Sequence, residues 1–189
     1  ETYFFLSDQG NARKIEKVAA LNDAAGRKVT SFLKYDYSEK ESVNLLSSGS
    51  RWFGERFNSG SSQTLNFNLE NPDINQPANF LISAVARSSE TSTMAVSLNG
   101  KSLNSVSFQP VYADDPTSWF ATDGIGKYIE NLPSQNIQLK LTYQGGNSSS
   151  EAWLDFISVN YQSLLNMNKD VYFFRGRGVD GQIPVSEFV

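Results

Sequence analysis

The stretch MAVSL-NG-KSLNSVSF, residues 94–108, decides the fold. Asn99-Gly100 separates two runs in which apolar and polar residues alternate, and Asn-Gly is the strongest two-residue hairpin signal because a type I′ turn needs positive φ at both central positions. A hairpin closed at these residues sets Val96 opposite Leu103 on one face. Val106 and Phe108 then fall out of phase with Leu103, so a β-bulge is predicted near Asn104-Ser105.

The same period of two recurs on either side of the hairpin. Leu65, Phe67 and Leu69 line one side of TLNFNL, and Ile137, Leu139, Leu141 and Tyr143 line one side of IQLKLTY, as half-buried strands require. From Asn79 to Arg87 both sides are filled, Phe80, Ile82 and Ala84 against Leu81 and Val85, which predicts a central strand covered on both faces. Strict alternation from Trp153 to Tyr161 puts Trp153, Ile157, Val159 and Tyr161 on one face with Asp155, and Leu154 and Phe156 on the other. Tyr3 to Leu6 and Val171 to Phe174 are also short, aromatic and strand-like. Helical periodicity is weak: Ile15 to Leu21 and Lys127 to Leu132 each predict one or two helical turns. Intervening segments are polar and turn-rich, with no repeat and no flexible linker, so residues 1–189 are expected to form a single module. The fold class is all-β: a two-sheet antiparallel β-sandwich, jelly-roll-like, with few short helical turns.

Composition narrows the chemistry. The 189 residues contain no cysteine and no histidine, which excludes disulfides, thiolate metal sites and every Ser-His or Cys-His catalytic pair. Acid–base work is left to carboxylates, Lys and Tyr. Sixteen Lys and Arg against twenty Asp and Glu give a net charge of −4 without a basic cluster, so nucleic acid and anionic lipid are not expected partners. No apolar run reaches the ~18 residues of a membrane span. A start at Glu1, with no charged-then-apolar leader, reads as a mature or excised segment of a larger protein.

The densest unusual stretch is Ser48-Gly49-Ser50-Arg51-Trp52-Phe53-Gly54-Glu55-Arg56-Phe57. Aromatic faces beside Arg and Glu are what a carbohydrate-binding surface uses, since the C–H faces of sugars pack on π systems while charged groups take the hydroxyls. The plainer alternative is that Trp52, Phe53 and Phe57 anchor a connecting segment into the core, with Arg51 or Arg56 pairing Glu55 at the edge. Asp155, on an apolar strand, is a candidate buried carboxylate and must be paired, for example with a neighbouring Arg. Glycoside hydrolysis would need two of Glu39, Glu41, Glu55, Glu151 and Asp155 to face each other. Asp73, Asp114-Asp115, Asp123-Gly124 and Asp180-Gly181 are loop carboxylates of the calcium-chelating type, but their spacing matches no defined calcium loop and Asp and Gly are ordinary turn residues. No cofactor and no catalytic residue is assigned; a structural calcium is the one metal weighed.

Several blocks in this order carry a resemblance: Tyr3-Phe4-Phe5-Leu6, Tyr37 to Leu45, Ser48 to Phe57, Ala84 to Ser88, Val96 to Gly100 and Trp153-Leu154-Asp155-Phe156-Ile157-Ser158-Val159-Asn160-Tyr161. Together they resemble the region ahead of the catalytic domain in the PorU family, gingipain-like cysteine peptidases that serve as sortases of type IX secretion in Bacteroidota. The resemblance implies an exported, outer-membrane-associated surface protein that removes C-terminal secretion signals from cargo, with its Cys and His in a later domain. For this chain it implies a non-catalytic accessory module whose partners are the catalytic domain of the same polypeptide and, further, secretion components or cargo. Arg51, Trp52, Phe53, Gly54, Glu55 and Phe57 then form a structural or docking block. The alternative function is a carbohydrate-binding module of a secreted or surface protein.

Overall fold

A computed structural model describes residues 30–47, 51–112, 114–115 and 117–166. The expected elements at Tyr3 to Leu6, Ile15 to Leu21 and Val171 to Phe174 lie outside those residues. Ten strands follow in order: β1 (Ser31–Glu39), β2 (Arg56–Asn58), β3 (Ser62–Asn68), β4 (Pro77–Arg87), β5 (Ser92–Leu98), β6 (Lys101–Ser102), β7 (Val106–Phe108), β8 (Thr122–Asn131), β9 (Asn136–Gln144) and β10 (Glu151–Leu164). They form two antiparallel sheets, one ordered β1-β10-β4-β8 with β2 also paired to β10, the other ordered β3-β9-β5-β6 with β7 also paired to β5. From β2 to β5 and from β7 to β10 the chain alternates between the two sheets as a jelly roll does, while β1 and β2 share one sheet and the β5–β7 hairpin stays in the other; no helix occurs among the described residues.

The hairpin behaves as its sequence dictates. Asn99 and Gly100 both have positive φ, 45° and 85°, and Leu98 pairs with Lys101 across the turn. Three steps from Ser97 back to Met94 are matched by four from Ser102 to Val106, so the extra residue falls at the expected bulge. Buried alternation on β3 and β9 also follows the pattern: Phe67, Leu69, Ile137, Leu139, Leu141 and Tyr143 join one core with Phe80, Ile82, Val159 and Tyr161 from the facing sheet. β4 lies between β10 and β8, and its second half is buried on both sides.

Two expectations are corrected. Lys127 to Leu132 is not helical: Thr122–Asn131 is strand β8, paired residue by residue with β4 from Pro77↔Asn131 to Ala86↔Thr122. Local propensity there is overridden by ten rungs of ladder hydrogen bonds and by a Gly124-Ile125-Gly126 stretch that fits nothing but close packing. A Cβ on Gly124 would come within 2.4 Å of the Phe108 ring, and one on Gly126 within 2.8 Å of Val106, so β8 meets β7 of the other sheet through bare backbone.

Alternation along β10 also breaks. Leu154 pairs with Ala84 but Phe156 pairs with Ser83, so two steps on β10 match one on β4 and Asp155 is the extra residue of a bulge. Before it, Ala152 and Leu154 face the main core while Trp153 faces outward; after it, Ile157, Val159 and Tyr161 face the core. Trp153 and Ile157 therefore lie on opposite faces, not one.

Candidate functional site

The Arg51–Phe57 block starts on the outer face of the β10 sheet, where Arg51 and Phe53 lie, and from Gly54 on runs along β10 as part of the sheet, held by backbone bonds. Phe53 exchanges hydrogen bonds with Val43, its N–H donating to the Val43 carbonyl at 2.8 Å and its carbonyl accepting from the Val43 N–H at 2.9 Å. One residue on, the Gly54 N–H donates to the Leu154 carbonyl at 2.8 Å, and the Leu154 N–H donates to the Glu55 carbonyl at 2.9 Å. β2 continues this ladder along β10 from Arg56 to Asn58. Gly54 is needed for the close approach, since a Cβ there would stand 3.0 Å from Lys40 Cβ and 3.1 Å from the Lys40 carbonyl.

The block's three aromatics part company. Phe57 is completely buried in the main core. Phe53 joins Val85 and Trp153 in a second, smaller cluster on the outer face, packed by Val43, Leu45 and Ala121. Trp52, pointing the other way from Phe53, remains 42% exposed. The anchoring expectation therefore holds for Phe53 and Phe57 and is corrected for Trp52.

Arg51 is the electrostatic centre of this face. Its Nη2 donates to Asp155 Oδ2 at 2.9 Å and lies 2.6 Å from Asp123 Oδ1, while its guanidinium carbon stands 5.0 Å from the centre of the Phe53 ring. Asp155 Oδ2 accepts a second bond from Ser83 Oγ at 2.9 Å. Asp155 faces outward like Trp153 two residues before it, and the bond to Asp123, then that to Asp155, holds the guanidinium pKa above its usual value against partial burial. One side chain thus ties β8 to β10 across β4. Glu55 is not its partner: Glu55 pairs with Lys40 at 2.5 Å, and Arg56 pairs with Glu151. The buried-carboxylate reading of Asp155 is met, with Arg51 and Ser83 as partners that its own neighbourhood in sequence does not reveal.

Of the carboxylates considered for hydrolysis, Glu55, Glu151 and Asp155 face cations, and Glu39 accepts from the Tyr37 hydroxyl at 3.1 Å. Asp73 and Asp115 hold their own turns, accepting from the N–H groups of Asn75 and Thr117. Among the described residues no three acidic groups converge to hold a metal.

Around this centre the outer face is rich in apolar groups. Tyr37 stacks on Phe156 with ring centroids 5.5 Å apart, and Ile125 and Ile129 of β8 are exposed. At its upper end Arg87 lies 4.3 Å over the Phe120 ring, beside Trp119, which is 79% exposed. Nothing of the kind occurs on the opposite outer face, where β3 and β9 present Ser62, Thr64, Asn66 and Asn68 against Thr142, Lys140, Gln138 and Asn136. That amide row went unremarked in the sequence, although the N-F-N spacing of Asn66 and Asn68 announced it.

No protein-family model matches the chain, and no curated protein matches it in sequence. Solved structures do match. Dimeric latent PorU from Porphyromonas gingivalis shares 19% identity at a TM-score of 0.64, over 86% of this chain and 15% of that one. A carbohydrate-binding module, CBM36 in complex with calcium and xylotriose, shares 12% identity at a TM-score of 0.42, over 67% of this chain and 98% of that one. The insecticidal delta-endotoxin Cry8Ea1 from Bacillus thuringiensis shares 17% identity at 0.42, over 55% of this chain and 18% of its own. At such identities the likeness is one of fold. The sandwich is thus shared with part of PorU, and the chain spans about 15% of that protein's length.

Proposed function

We propose that residues 1–189 are a non-catalytic accessory module of a PorU-like type IX secretion sortase, exported to the outer-membrane-associated surface of a Bacteroidota-type bacterium. In this reading the module supports or docks the separate cysteine peptidase domain that processes C-terminal secretion signals, and it meets secretion components or cargo through the same polypeptide. The observation that carries it is the sandwich shared with PorU over 86% of the chain at a TM-score of 0.64. A sequence with no cysteine and no histidine agrees with a supporting role, because it offers neither nucleophile nor base for thiol peptidase chemistry.

The outer face of the β10 sheet is the docking side. It joins aromatic and aliphatic groups, Trp52, Tyr37, Ile125 and Ile129, to the fixed Arg51 centre, the composition of an interface core rather than of a solvated strand face. The test is to mix the purified chain with the cysteine- and histidine-bearing remainder of its parent polypeptide. A stable complex is expected that cleaves a cargo signal peptide, with the chain alone inert. Cleavage by the chain alone, or no association, removes the proposal.

A carbohydrate-binding module is the second reading, favoured by the exposure of Trp52 and Trp119. Trp153, the third tryptophan, is buried and unavailable for stacking.

A further inference from the structure

At one end of the other outer face, Asn66 and Asn68 of β3, Asn136 and Gln138 of β9, and the turn residue Asn99 line an open cleft of about 570 Å³, within the range of small-ligand sites; Phe67 and Ile137, both buried, complete the lining between the amides. The cleft has a fixed wall. Asn99 Oδ1 accepts from the Gln138 N–H at 2.8 Å and Asn99 Nδ2 donates to the Asn136 carbonyl at 3.1 Å, so the turn amide is immobilised by the bonds it makes. Gln138 Nε2 reaches Asn66 Oδ1 at 3.5 Å, a contact at the limit of hydrogen bonding that a better partner would displace.

The lining selects a ligand by elimination. It holds no Lys or Arg, so it offers an anion nothing; it holds no carboxylate, so it offers a metal ion or ammonium group little. A peptide strand would add at the open edge of β3 and not in the cleft, where β3 and β9 are already paired with each other from Ser62 to Asn68. What remains is a set of side-chain amides that donate and accept in equal measure, which matches a ligand whose groups also do both at every position. We infer that this cleft is a binding site for an uncharged, polyhydroxylated chain, a neutral oligosaccharide held edge-on by hydrogen bonds without an aromatic platform. It is separate from the docking face and does not depend on that reading.

The probes are neutral linear hexasaccharides of glucose, xylose and mannose, titrated into the intact chain and followed by NMR shifts of the side-chain amides. At least one sugar is expected to perturb the Asn66, Asn68 and Gln138 amide signals. An Asn66→Ala/Gln138→Ala double variant is expected to bind it about tenfold more weakly, two lost hydrogen bonds at roughly threefold each. Asn68→Ala, scored in the same way, serves if that variant fails to fold. No perturbation by any sugar overturns the inference, as does binding indifferent to the loss of these amides.

Discussion

The two outer faces of the sandwich are made by the same kind of strand and end up with opposite characters. Over β3 and β9 every outward side chain from Ser62 to Asn68 is polar, and backbone and solvent suffice to complete it. Over β4 and β10 the chain adds a second layer: the segment through Phe53 crosses the sheet, covers Trp153 and Val85, and brings Arg51 to two carboxylates. A bare polar face needs no register beyond alternation. A covered one does, and the bulge at Asp155 lets Trp153 and Asp155 both face outward, to Phe53 and Arg51, while Ile157, Val159 and Tyr161 beyond it return to the core.

The contrast is broken most directly by truncating both faces. Trp153→Ala, which empties the small outer cluster, is expected to cost roughly 3–5 kcal/mol, whereas Thr64→Ala on the polar face should stay within about 0.5 kcal/mol. Urea unfolding of the two variants measures the difference, and equal costs would erase the distinction.

Arg51→Met comes next. It leaves Asp155 with Ser83 as its remaining partner, and because the guanidinium is half exposed the loss is expected at roughly 1–2 kcal/mol. Asp123→Asn in the same background should then add little, a coupling that a double-mutant cycle reads directly.

An alkaline titration sharpens the picture from the inside, where both faces share one core. Burial raises the pKa of Tyr128 and of Tyr143 above the ordinary value of 10.0. A group whose folded pKa lies above its unfolded one contributes stability that is whole below the unfolded value and is lost as pH rises through the folded value. Stability is therefore expected to fall above about pH 10. Tyr143→Phe should flatten that fall, as urea midpoints on either side of this pH would record.

Within the Arg51–Phe57 block the smallest effect on folding belongs to Trp52→Ala, within about 1 kcal/mol because the ring is only partly covered. If the proposed docking role holds, its expected consequence is weaker association with the proposed peptidase domain, measured by pull-down against the unaltered chain.

What the sequence made legible follows from how local each signal was. Asn99-Gly100 fixes its turn through two backbone angles, and the bulge after it follows from counting, so both could be read from a dozen residues. The burial of Leu139 and Phe67 follows from alternation alone. The break on β10 had no such sign, because no Gly or Pro marks it and Asp155 differs from its neighbours only in needing Arg51, 104 residues earlier. Lys127 to Leu132 misled for a related reason: what makes it a strand is its pairing with β4, a contact that local spacing does not contain. Within the block, Trp52 and Phe53 are adjacent aromatics of similar hydrophobicity, and which of them turns inward is settled by the Phe53 bridge to Val43.

The tie between Arg51 and Asp155 has a consequence in time. Its two ends are among the first and last parts of the sandwich to leave a ribosome or an export pore, and contacts of such long sequence separation close late in folding. Until the final strand has been inserted beside β4, the patch around Arg51 has neither its buried indole nor its anionic clasp. A partner that recognises this patch meets it complete only once β10 is in place, so recognition reports that the sandwich has closed.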